Sequence, residues 1–224
     1  IMALSKLQYN SLNVTPSASK GIRFNSGANG FEAASAGGNL TLIKTITLAS
    51  AAASISFVNG SSDVVLDGTY KEYIFYFNNI HPSSASNAPF SFNMSIDTGS
   101  NYNVSKTSTS FVAYNQESGG TPALGYEGGA GRDMANETRY QHIIFDIHNP
   151  NDSGGSGKLH LFDPSNTTFV KHFIATCNSQ ISTSTTANMF AAGYGNTTSA
   201  VDAIDFKMES GNIDAGTISM YGVL

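Results

Sequence analysis

Apolar side chains recur at every second position over short stretches of this chain, and turn residues separate the stretches. The run Phe90-Ser91-Phe92-Asn93-Met94-Ser95-Ile96-Asp97 is the cleanest case. Successive side chains of a strand point to opposite faces, so the pattern predicts a strand with one buried and one wet face. Asp97-Thr98-Gly99-Ser100-Asn101 then reads as a tight turn, because Gly and Asx residues suit the backbone such turns need. Ile204-Asp205-Phe206-Lys207-Met208-Glu209 has the same alternation. It is followed by the turn Ser210-Gly211-Asn212 and the strand-like run from Gly216 to Gly222.

Other runs are apolar on both faces. Tyr73-Ile74-Phe75-Tyr76-Phe77 is one; His142–Ile147 and Thr168–Ala175 are similar. A strand with two apolar faces needs cover on both sides, from its own loops, from an arm or from another subunit. Further strands are expected at residues 40–48, 54–58, 110–115, 157–163 and 186–194. No amphipathic stretch is long enough to predict a helix. About eleven strands result, of which eight suffice for a jelly roll, with the rest near the N-terminus or in loops. Residues 1–38 are poor in core side chains and Gly-punctuated, as in Ser11–Pro16 and Gly21–Gly27, and read as an arm that docks on a neighbour. Residues 39–224 then form the sandwich. Residues 116–139 carry six glycines and read as a long loop, mobile or shaped by a contact.

Composition narrows the functional classes. Only 12% of the 224 residues are charged, and Ser, Thr, Asn and Gly take their place. Such a surface sheds little hydration on contact and so tends to associate. The net charge is −5, with no basic run to neutralise phosphates, so nucleic acid is not an expected partner. No apolar window is long enough to span a membrane, and Ile1-Met2-Ala3-Leu4-Ser5-Lys6 lacks the apolar core of a signal peptide. The single cysteine, Cys177, has no intramolecular partner and sits in an apolar run, which predicts a buried, inert thiol.

Candidate chemistry is sparse. His160 and His172 fall in the middles of neighbouring predicted strands and are the nearest approach to a metal pair. A third ligand is lacking, and hydrogen-bonded core or interface histidines are expected instead. Asp97–Asn101 has oxygens at alternate positions, as a calcium loop does, but lacks the downstream bidentate acid. The oxygen-rich segment His148-Asn149-Pro150-Asn151-Asp152-Ser153-Gly154-Gly155 is a solvent loop able to contact a sugar or Ca²⁺. Tyr114, Tyr126, Tyr140 and Tyr194 lie near loop ends as possible sugar platforms, although Trp is absent. No nucleophile elbow, zinc-protease motif or phosphate loop occurs. No enzyme activity, cofactor or metal is expected.

Several segments resemble uncharacterised structural proteins of marine tailed bacteriophages. They are Ser61–Tyr73, Asn79-Ile80-His81-Pro82, Ser100–Val104, Leu159–Thr168 and Ser210–Ile218, and the likeness spans roughly residues 40–224. Ala18–Ser26 is similar to the lead-in of phage fibres. The resemblance implies a jelly-roll module of capsid decoration, cement or fibre proteins, located on the virion and forming a homotrimer, with no catalytic residues. The expectation is therefore an all-β, jelly-roll-like antiparallel sandwich with an extended N-terminal arm. Its expected partners are its own copies, the major capsid protein and other virion proteins. The alternative is a receptor-binding tail fibre or tail tip that recognises host-surface glycan. Tyr73, Phe75, Phe77, Phe169 and Phe173, from the runs apolar on both faces, are the expected trimer contacts.

Overall fold

The alternating runs become strands in a computed structural model, which describes residue 14 and residues 20–35, 39–84, 87–120 and 122–224. The strands are β1 (Lys20–Phe24), β2 (Phe31–Ser35), β3 (Leu40–Thr47), β4 (Ile55–Val58), β5 (Glu72–Pro82), β6 (Ala88–Ser95), β7 (Lys106–Gln116) and β8 (Ala123–Tyr126). They continue with β9 (Ala135–Glu137), β10 (Gln141–Ile147), β11 (Gly155–Phe162), β12 (Lys171–Ser182), β13 (Thr185–Gly195), β14 (Ala203–Met208) and β15 (Ile213–Val223). The chain divides into two units, Ile1–Asn39 and Leu40–Leu224.

In the first unit, β1 and β2 pair antiparallel, with Phe24 opposite Phe31 and Ile22 opposite Ala33. The two Phe rings stack at 4.9 Å. Arg23 and Glu32 pair at 2.8 Å, and strand alternation puts them on the other face from the Phe rings. The expected arm segments at residues 1–13, 15–19 and 36–38 lie outside the described residues.

The second unit is a β-sandwich with jelly-roll winding. The smaller sheet has the order β10-β6-β14-β4, and the larger begins β3-β15-β5-β11. Strands β3 and β15, β4 and β14, β5 and β11, and β6 and β10 are antiparallel neighbours. The chain is thus one long hairpin wound so that successive pairs alternate between sheets, the path of a double Greek key. Two insertions enlarge it. Strands β12 and β13, between β11 and β14, and strands β7 and β8, between β6 and β10, extend the larger sheet as β11-β12-β13-β7-β8, and β9 pairs with β7. The Gly-rich segment expected as a loop therefore contains β8 and β9, because the neighbouring β7 offers them an unpaired edge.

Aromatic side chains close the sandwich. The Phe206 ring lies 5.2 Å from Phe75, 5.3 Å from Phe77 and 5.8 Å from Phe90. Phe57 meets Phe75 edge-on at 5.5 Å, and Phe92 meets Phe173 at 5.1 Å. Edge-on and offset rings add about 1 kcal/mol per pair to the burial itself.

This packing corrects the expected trimer contacts. Tyr73, Phe75, Phe77 and Phe173 point inward and are fully buried within one chain. The Tyr73 hydroxyl also donates to the Asp67 carbonyl at 2.8 Å. These four side chains hold the sheets together and cannot face a neighbour. Phe169 alone of the five is exposed, in a turn that precedes β12.

The face of β6 expected to be wet is also covered. Ser91, Asn93 and Ser95 are buried, because the chain before β7 and before β10 crosses that face. Asn93 donates its amide to the carbonyls of Tyr102 at 2.7 Å and Thr138 at 2.9 Å. Lys106 lies fully buried there and donates to Asn93 Oδ1 at 2.5 Å and the Val104 carbonyl at 2.8 Å. Both acceptors are neutral, so burial pushes the Lys106 amine down to about 7.

Candidate functional site

The outer face of the larger sheet carries two surfaces of opposite chemistry. Strand register explains both, since alternate residues of β5, β11, β12, β13 and β7 point away from the core. Toward the Phe162 end of β11, His160 stands opposite Ile74 and Ile174, and Ile174 stands opposite Ala192. His172 stands opposite Tyr194, and Phe190 opposite Phe111. Phe111 in turn pairs with Tyr126 on β8. The result is an apolar strip across β11, β12, β13, β7 and β8.

The strip is open. Ile174 is 49% exposed, Phe111 42%, Tyr126 64% and Leu124 72%. Its aromatic members pre-pack: Phe111 and Phe190 stack at 4.8 Å, and His172 meets Tyr194 edge-on at 6.0 Å. A shallow groove of about 460 Å³ runs between Phe162, Ile174, Ala192 and Tyr194. The β5 and β15 side of the same face is better closed. Ile74 is buried there, and Tyr76 packs edge-on against Tyr221 at 5.5 Å.

The second surface is a polar cleft of about 720 Å³ at the other end of the same strands. Its floor is Ser156 on β11, Asn178 and Gln180 on β12, and Thr186 on β13. Its walls are Asn79, His81, Asp214 and the segment 151–154. Register shifts in β5 and β15 shape the wall. The ladder skips between Ala215 and Thr217, and Asn79 adopts φ of 51°, which an Asn tolerates better than most residues.

His81 is the post that holds the wall. Its Nδ1 lies 2.6 Å from Asp214 Oδ1, and its Nε2 lies 3.0 Å from the Asn149 carbonyl and 3.2 Å from the Pro150 carbonyl. Burial alone would lower its pKa, but the bonds to Asp214 and the two carbonyls outweigh that and raise it. With acceptors at both nitrogens, the ring suits the doubly protonated form. Both nitrogens are engaged, so the His81–Asp214 pair anchors the loop rather than serving as a base toward the cleft.

The other sequence candidates fall apart from one another. His160 Nδ1 bonds Glu72 and stacks on Phe162, whereas His172 is exposed beside Tyr194. Among the described residues, no group of three or more His, Cys, Asp or Glu is placed to hold a metal ion. Asp97 closes its turn by accepting from the Asn101 backbone at 2.9 Å and side chain at 2.7 Å. Tyr140 donates to Asp205 at 2.9 Å and Tyr114 to Glu127 at 2.7 Å, while Tyr126 and Tyr194 belong to the apolar strip. Cys177 is buried and its thiol is pushed up to about 12 by that burial.

Sequence reading singled out the loop 148–155 but not the floor of the cleft. Ser156, Asn178, Gln180 and Thr186 are far apart in the chain, and only strand pairing brings them together. The one available signal was that polar residues replace apolar ones late in β12 and early in β13. In comparisons with known proteins, the chain matches no family model, no curated protein and no solved structure.

Proposed function

We propose that the chain is a non-enzymatic structural protein of a bacteriophage particle surface. It acts as a capsid decoration or cement protein, and its jelly rolls assemble as a homotrimer through the apolar strip. The observation that carries this reading is the open strip from Ile174 and Tyr194 to Phe111, Tyr126 and Leu124. Contiguous exposed apolar surface of this kind marks an interaction site on a protein. Burying it yields roughly 25 cal/mol per Å² before ordering costs are subtracted. The low charge of the chain removes much of the desolvation penalty that opposes such contacts.

The hairpin of the first unit supplies a second contact. Register and alternation give it one face of Ile22, Phe24, Phe31 and Ala33, and a two-stranded hairpin is marginal by itself in water. Docking of this face on the major capsid protein gives the apolar residues a partner.

The test is mass spectrometry of purified particles of the virus that encodes the chain, followed by localisation of the jelly roll in a particle density map. The proposal predicts the chain at stoichiometric copy number, with three jelly rolls in contact through β12, β13 and β7. Absence from purified particles overturns it.

A further inference from the structure

We propose that the polar cleft walled by His81 and the 151–154 segment binds a neutral carbohydrate, which gives the protein a glycan-recognition site separate from its assembly surface. The cleft is of the size that holds a small ligand, at about 720 Å³. Its side chains set the ligand class. Asn79, Asn151 and Gln180 each offer a donor and an acceptor, Asn178 offers its Oδ1 as an acceptor, Ser156 and Thr186 offer hydroxyls, and Asp152 offers a carboxylate. A sugar hydroxyl likewise donates and accepts at one atom, so vicinal hydroxyls match amide and carboxylate pairs.

Other ligand classes fit worse. No Lys or Arg lines the cleft, and its two acids, Asp152 and Asp214, oppose phosphate, sulfate or carboxylate groups. Its lining has only Ala215 and Gly154 as non-polar residues, so an acyl chain or an apolar peptide side chain finds no pocket. A hard cation needs six or more oxygen ligands. Of the two carboxylates here, Asp214 is already held by His81 at 2.6 Å.

The site is also built before ligand arrives. Asn178 Nδ2 is fixed by Thr186 Oγ1 at 2.7 Å and the Ala187 carbonyl at 3.1 Å. Ser156 Oγ accepts from the Asn79 backbone at 3.0 Å. His81 ties down the carbonyls of Asn149 and Pro150 at the root of the wall. Ser153 Oγ, on the same wall, is buried with no hydrogen-bond partner.

The experiment is binding of the full-length protein to an array of immobilised neutral, sialylated and sulfated oligosaccharides, with and without EDTA. Wild type is compared with Asp152→Ala, Thr186→Trp and Ile174→Asp, and a thermal melt verifies that each variant folds. Neutral glycans should bind, with EDTA making no difference. Asp152→Ala and Thr186→Trp should each weaken binding by roughly tenfold or more, the effect of one or two lost hydrogen bonds or of a filled site. Ile174→Asp, which alters the apolar strip alone, should keep monovalent binding to the same glycan. Binding to no neutral glycan, binding only to anionic ones, loss of binding with EDTA, or equal binding by all variants overturns the proposal.

Discussion

At the scale of single residues, two buried groups give the most direct checks. Cys177 faces the sandwich interior, and its thiol is held at about 12 by burial. A thiol reagent at pH 8 should therefore leave the native protein unlabelled and label it fully in denaturant; rapid native labelling would contradict the burial. The sequence made this legible, since the cysteine lies in an apolar strand. It did not reveal Lys106, because the surrounding Ser105-Lys106-Thr107-Ser108 carries no apolar run to mark a buried position. Because its folded pKa of about 7 lies below the unfolded value of 10.5, the unfolded chain holds more protons between these limits. Stability should thus rise with pH above 7, with a slope of at most ~1.4 kcal/mol per pH unit from this group. Lys171 is also lowered by burial and acts in the same direction. Urea titrations at pH 7 and 9 should show the rise in wild type and a smaller one in Lys106→Met. An equal rise in both would remove Lys106 as its source.

At the scale of elements, alternation located most of the jelly-roll strands, because period two is the direct imprint of a half-buried sheet. It could not say which apolar face turns inward when both faces are apolar. The run Tyr73–Phe77 shows this: its aromatic ring set at 73, 75 and 77 fills the core, while Ile74 and Tyr76 face outward under Tyr221 and His160. Nor could it show that the outer face of β6 lies under crossing chain, since that cover comes from residues far along the sequence. The Phe206 ring packs against Phe75 and Phe77 of the facing sheet and Phe90 of the neighbouring strand, so Phe206→Ala should cost about 3–5 kcal/mol in denaturant unfolding. A loss below 1 kcal/mol would mean that the sheets do not close on this ring. The wall of the cleft depends on a single post. His81→Ala removes the bonds to Asn149 and Pro150 and should speed amide exchange in residues 149–154 while leaving that of β12 unchanged. Because the folded His81 pKa is raised, its anchoring is full at acid pH and weakens as pH climbs through that value.

At the scale of the whole molecule, two insertions into an eight-strand winding create both candidate surfaces. Strands β12, β13, β7 and β8 broaden one sheet beyond what the smaller sheet can mirror, and their outward residues are apolar at one end and polar at the other. Low charge and doubly apolar strands led the sequence reading to expect association, and four of the five residues it named as contacts, Tyr73, Phe75, Phe77 and Phe173, face the core instead. Analytical ultracentrifugation of the purified chain at micromolar concentration tests the proposed assembly surface directly. Wild type should sediment as a trimer, and Ile174→Asp with Tyr194→Ser should sediment as a folded monomer. A wild type that stays monomeric, or a doubly substituted protein that still forms the trimer, would contradict the account.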